Sequence, residues 1–344
     1  MVARTRWAQI LIGFALATCV SAVGQAPGSK RAAPPAGNLA SGSKSSVQPK
    51  AEAAKKWRTP WGDPDLQGSW SNATTTPLER PAKYAGREFL TPEERSAADQ
   101  ETAVGRDKRG ERGTADDVAG AYNAFWWERG WSDGRTSLIY DPKDGHKPAL
   151  TAAGRARASE RNESIRTDGP YNGPEDLDLY TRCIIRAPLP RLSSGYDNGY
   201  EIVQTPGYVA ILQEQIHEAR VIPLDRRPHL DAGVRQWLGD SRGHWEGDTL
   251  VVETTNFNER TAFEGATKNM HLIERWTRVA DDRIEYRFTV TDPETWIQPW
   301  SAAMGWTKSG PMFEYACHED NYGMYGILAG ARADEHKAEK ASGR

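Results

Sequence analysis

From Arg283 to Thr291 the chain reads RIEYRFTVT, and Ile284, Tyr286, Phe288 and Val290 alternate strictly with Glu285, Arg287, Thr289 and Thr291. A side-chain period of two places the apolar set on one face of a β-strand and the polar set on the other. The same texture recurs. Residues 200–224, YEIVQTPGYVAILQEQIHEARVIPL, read as strand, Pro206-Gly207 turn, strand, turn and strand. The segments DTLVVETTNF (248–257) and HLIERWTRV (271–279) follow, with Gly247-Asp248 and Asp281-Asp282 as turn signals. Strands of this length at this spacing predict a mainly β fold. The expected architecture is an antiparallel meander forming a barrel or strongly curved sheet, with no βαβ rhythm.

The N-terminal half is less regular. Arg4 and Arg6 precede an apolar run from Ala8 to Val20, and Ser21, Ala22 and Ala26 supply small residues for cleavage, so residues 1–26 are expected to be a signal peptide. That run is too short to be a comfortable membrane span, and Cys19 sits in a weak version of a lipid-anchor box because Thr18 precedes it. Residues 27–56 are rich in Ala, Pro, Ser, Gly and Lys with scarcely an apolar anchor, which reads as a disordered linker. A single globular β-rich domain is expected over 57–335, with irregular loops and short helices at 57–185, the meander at 186–335, and a polar tail at 336–344. Thr91-Pro92-Glu93-Glu94 is a capping box with Pro at the first helical position, and Thr151 is placed to cap a second short helix. RTSLIYDPKDG (135–145) reads as a short strand and turn.

Removal of the signal would take away Arg4 and Arg6, so the formal net charge becomes −3 − 2 = −5. No basic stripe interleaved with aromatics offers a nucleic-acid footprint. Cys183 and Cys317 remain after the signal, and two lone cysteines in an oxidising compartment are expected to pair. No close C-x-x-C pair suggests thiolate ligation, and no metal or cofactor is expected. Localisation is expected to be periplasmic or secreted. Thirteen Trp against seven Phe is unusual, and each indole combines a large apolar area with one N–H. Such a chain has either a wet-edged aromatic core or a stacking surface for a ligand.

The block GDSRGHWEGDTLVVETTNF (239–257) is most simply a hairpin, with Arg242 to Trp245 in one arm, Glu246-Gly247-Asp248 in the turn and Thr249 to Phe257 in the return strand. Both faces of that strand pass from apolar to polar, which suggests passage from packed core into a polar cavity. Glu253 and Asn256 are candidates for its wall, with pairing of Glu253 to a neighbouring strand Arg as the other reading. The tripeptide Gly239-Asp240-Ser241 is shared with GDSL hydrolases, but that family sets its Ser between a strand and a helix. His217-Glu218 opens like a zinc-helix motif, yet Val221 stands where the second His would be.

The blocks DPDLQGSWSNATTTPLERP, YNAFWW, GDSRGHWEGDTLVVETTNF and EYACHEDNYGM resemble a family of exported, Trp-rich bacterial proteins over Trp57 to Arg332. The resemblance implies export and a single folded unit and carries no activity with it. At the level of strand spacing the meander is also similar to lipocalin-type barrels. Two functions are weighed on the residues themselves. One is an exported, cofactor-free hydrolase or lyase acting on a carbohydrate or aromatic small molecule. It would use His217 and His318 as acid/base groups and Glu253 and Glu314 as orienting carboxylates. Tyr200, Arg220, Trp237, Arg242, Trp245, Asn256, Asn321 and Tyr322 would bind the substrate. The other is a non-catalytic exported protein that holds a small-molecule or glycan ligand in a Trp-lined cavity.

Overall fold

The computed structural model describes residues 56–105, 128, 130–166, 171–261, 263–319 and 321–342. The expected signal peptide, the linker up to residue 55, Cys19 and the YNAFWW block lie outside these residues. Ten strands form one antiparallel sheet: β1 Gly68–Ser71, β2 Ile139–Asp141, β3 Gly199–Thr205, β4 Tyr208–Gln213, β5 Ala219–Pro223, β6 Asp240–Glu246, β7 Thr249–Thr255, β8 His271–Ala280, β9 Arg283–Thr291 and β10 Trp300–Lys308. Their order is β5-β4-β3-β1-β10-β9-β8-β7-β6, with β2 paired to β10. The two end strands, β5 and β6, come to lie side by side, so the sheet is a nearly closed barrel.

The alternation in β9 is realised as expected: Ile284, Tyr286, Phe288 and Val290 are buried, and their partners on β8 and β10 continue the same inward layer. Burying that face removes a broad apolar area from water at roughly 25 cal/mol per Å². The barrel is filled by rings. Tyr200 stacks on Trp306 at 4.4 Å between centroids, and Tyr286 meets Trp276 at 4.9 Å and Trp306 at 5.5 Å. Phe288, Trp296 and Trp300 carry the cluster towards the other end. Trp70, Trp276, Trp296, Trp300 and Trp306 are all buried, so this part of the Trp surplus is core.

Residues 57–185 contribute to the same sheet. β1 inserts between β3 and β10, where Trp70 faces Tyr200 and Lys308. The stretch just before β1 is fixed by the buried Gln204 amide, which accepts from Leu66 N at 2.6 Å and donates to Pro64 O at 3.0 Å. The two expected helices form at α1 Pro92–Gly105 and α2 Ala152–Arg166. Thr91 and Glu94 exchange the capping-box bonds at α1, and Thr151 Oγ1 accepts from Gly154 N at 2.9 Å at α2. A third helix, α3 Tyr322–Ala341, stands where the sequence reading placed the end of the meander (322–335) and continues into the residues read as a polar tail (336–344). Among the described residues no helix is long and apolar enough to cross a membrane.

Cys183 and Cys317 form a disulfide, with Cα atoms 5.8 Å apart and a sequence separation of 134. It joins the segment entering β3 to the segment leaving β10. Asn321 reinforces the junction, capping α3 through Met324 N and donating to Thr181 O at 2.7 Å.

Candidate functional site

At the seam β5 and β6 approach without a backbone ladder. Gly243 makes the approach possible, because a Cβ there would stand 2.8 Å from both Ile222 Cγ2 and Leu224 Cδ2. Side chains close the gap instead. Arg220 of β5 reaches inward, donating from Nε to Ser241 Oγ of β6 at 2.9 Å and from Nη2 to Thr254 Oγ1 of β7 at 2.7 Å. Its two terminal nitrogens also grip Glu274 of β8, at 3.1 Å from Nη1 to Oε1 and in a close contact from Nη2 to Oε2. Tyr286 donates to the same carboxylate at 2.8 Å, and burial, followed by the Glu274 charge, pushes its phenol well above the ordinary range. Every member of this set is at most 8% exposed, and bidentate guanidinium–carboxylate geometry of this kind is the strong form of the contact.

A second buried pair, Arg191 with Glu218, stands beside it. Between the two pairs lies a small cavity of about 30 Å³, enough for a water molecule or one ligand oxygen. Arg191, Gln213, Trp276 and Trp306 line it, and Arg191 Nη1, Gln213 Oε1 and both indole Nε1 atoms are buried without a hydrogen-bond partner among the described residues. Burial lowers the Arg191 pKa to about 10; the nearby Tyr200 opposes that shift, while the Arg220 and Arg186 charges add to it. Tyr200 is pushed up to about 12, chiefly by burial.

Two open clefts meet this cavity. One, of about 620 Å³, lies outside the seam and shares Glu218, Arg220 and Leu238 with it, with Trp237 and Arg235 on its wall. The other, of about 270 Å³, shares Arg191, Tyr200 and Gln213, and is walled by Pro188, Leu192 and Phe263. These volumes are close to the range of small-molecule sites.

The residues singled out from sequence distribute unevenly. Arg220 and Tyr200 line the cavity, and Trp237 lines the seam cleft. Trp245 packs against the core with its Nε1 unpartnered. Arg242 is engaged by Asp240 at 2.6 Å, Ser241 O and Pro228 O, and Asn256 leaves β7 to bond the carbonyls of Leu230 and Asp231, so both act as loop staples. Glu253 points to the outer face, where it accepts from His271 at 2.5 Å, which lowers its pKa. Glu314, His318 and Tyr322 are exposed near the disulfide, and Asn321 is the α3 cap. The His217 backbone forms a short 3-10 turn and its side chain lies outside the described residues. Glu253 is therefore not gathered with His318 and Glu314 in one cavity.

Sequence reasoning missed three residues. Glu274 shares strand parity with Leu272 and Trp276, and a lone acid on an otherwise apolar face was the available signal. Arg191 lies in an irregular segment that offers no periodicity. His229 donates or accepts through Nδ1 with Asp240 at 2.9 Å, while its buried Nε2 stands 3.8 Å from Glu253 Oε2. Elsewhere Glu128, Asp197 and Glu214 converge, and burial together with the other two acids raises Asp197 to about 6. No protein-family model matches the chain, and no curated protein matches it.

Proposed function

We propose that the protein is an exported binding protein that holds a small molecule at the polar mouth of the barrel, beside the seam. The observation that carries this reading is the set of buried polar atoms around the cavity that lack partners, placed where two clefts converge on it. An unpaired buried donor costs about 1–3 kcal/mol, a cost that a ligand oxygen can relieve. The Cys183–Cys317 bridge and the N-terminal sequence pattern support export. Native mass spectrometry of the protein from its own exported fraction tests the reading. An adduct of small-molecule mass, lost on denaturation, is the expected result. A bare chain whose tryptophan emission responds to none of a broad panel of acids, sugars and aromatic compounds would sink it.

A second reading is favoured by one observation, the His229 imidazole held by Asp240 at Nδ1 (2.9 Å) with Glu253 Oε2 standing 3.8 Å from its Nε2. A carboxylate that fixes an imidazole tautomer is the arrangement of a general base, so cofactor-free hydrolase or lyase chemistry on a carbohydrate or aromatic compound is the alternative. Turnover of a candidate substrate that disappears in His229→Gln, with folding intact, would decide for it.

A further inference from the structure

We infer that the group recognised at the barrel mouth is a single carboxylate, carried on an organic molecule with an apolar body. The inference rests on the binding reading above and adds the ligand's chemical class.

Charge balance is the first argument. In the cavity lining Arg191 and Arg220 are matched by Glu218 and Glu274. The Arg186 guanidinium on the wall of the smaller cleft, bonded to Gln215 Oε1 and to no carboxylate among the described residues, adds one cation, so the set carries +3 − 2 = +1. At the rim of the smaller cleft Glu264 pairs with Lys147 at 2.6 Å, and Lys147 also reaches Glu79, outside the cleft lining, at 3.6 Å. The three clustered acids Glu128, Asp197 and Glu214 line neither the cavity nor this cleft. One uncompensated cation on the cleft wall, half-buried, favours one negative charge, whereas a phosphate dianion would reverse the imbalance and add a larger desolvation cost of its own.

The second argument is which donors remain open. Arg220 is used up by Ser241, Thr254 and Glu274. Arg191 is 94% buried, pairs with Glu218 through Nη2, and leaves Nη1 without a partner; the indole N–H groups of Trp276 and Trp306 are equally unpartnered. Three open donors against one open acceptor, Gln213 Oε1, around a space that admits one oxygen call for a strong acceptor, and a carboxylate oxygen is stronger than a hydroxyl or an amide carbonyl. The third argument is shape. Arg191 faces both the cavity and the 270 Å³ cleft, whose walls include Pro188, Pro190, Leu192 and Phe263. An anionic head can enter the cavity while an apolar or aromatic body stays in the cleft.

Benzoate, benzamide, benzyl alcohol and phenyl phosphate serve as probes for the oxidised full-length protein, read by tryptophan emission and by calorimetry. Benzoate is expected to bind at least about tenfold more tightly than the other three. Arg191→Gln is expected to remove that preference, and Arg191→Lys to restore part of it. Trp306→Phe keeps the ring and deletes one donor, and should weaken benzoate without touching the pairing of Arg191 with Glu218, which keeps the test open if the Arg191 variants fail to fold. Equal binding of benzamide or benzyl alcohol would overturn the carboxylate and leave the binding reading standing. Preference for phenyl phosphate would likewise overturn it. If no probe binds, the molecule released from the native protein decides: a carboxylic acid upholds the inference, and a neutral compound overturns it. No released molecule and no bound probe would overturn both the inference and the binding reading.

Discussion

Glu274 governs the charge balance of the barrel interior. It is 1% exposed and takes hydrogen bonds from both terminal nitrogens of Arg220 and from Tyr286. Removing the carboxylate charge leaves a desolvated guanidinium facing aromatic rings, and breaking one side of a buried pair costs about 3–5 kcal/mol. Glu274→Gln, which keeps the shape, should therefore lower the denaturation free energy by about that amount. The double variant Arg220→Met/Glu274→Leu removes both charges and should recover part of the loss, since the two residues are directly coupled. Urea denaturation followed by tryptophan emission measures both. A Glu274→Gln protein as stable as the parent would mean that Arg220 has access to water or to another anion, and the seam would then be open rather than bridged.

At the scale of elements the seam is the weak line of the barrel. β8 and β9 are paired along both edges, whereas β5 and β6 each lack a ladder on the side where they meet. Amides without a ladder partner open at lower free energy, so hydrogen exchange should be fastest along the seam edges and slowest in β8 and β9. Gly243→Ala should widen this difference, because its new methyl must displace Ile222 and Leu224. Protection of β5 and β6 equal to that of β9 would remove the seam as an entry point. The strands also differ in how plainly their sequences announce them. In β9 the inward face follows from the alternation of residue types alone, and β7 and β8 are bounded by clear turn signals. β10 gives no such signal because Trp300 to Met304 are buried on both faces, which erases the period of two. β1 has four residues between turn formers, too few to register as a pattern, and α3 carries Gly323, Gly326 and Gly330, which weaken its helical signature. Half of the seam's central ion pair is legible in the sequence: Arg220 lies near an expected hairpin tip, while the role of Glu274 depends on β8 and β5 facing each other across the barrel.

For the molecule as a whole, the disulfide ties the wall of the proposed site to the far end of the chain. Cys183 is followed within eight residues by Arg186, Leu189 and Arg191, and Cys317 follows β10, so the bridge, across a sequence separation of 134, encloses β3 to β10 in one loop. On the chain-entropy account such a crosslink contributes about 4–5 kcal/mol, chiefly by restricting the unfolded chain. The Cys183→Ser/Cys317→Ser protein should accordingly denature earlier by up to that amount while keeping its far-ultraviolet β signature, since β8, β9 and β10 are held by ladders and rings that do not involve either cysteine. The local consequence separates this account from a purely global one. Segment 184–194 is irregular and is anchored by Arg186 N to Glu218 Oε1 at 3.0 Å, by Arg186 Nε to Gln215 at 2.7 Å and by the Arg191–Glu218 pair. Without the bridge it is held by these bonds, by scattered contacts such as Asn72 Nδ2 to Arg191 O and Ser194 N to Asn198 Oδ1, and by the buried Leu189, but by no ladder. Its amide exchange should therefore rise more than that of β8 and β9, and the benzoate response of the tryptophans should weaken before the barrel unfolds. Uniform loss of protection across segment and barrel together would show instead that the bridge acts only on the unfolded state, and that the wall of the site is held by the barrel itself.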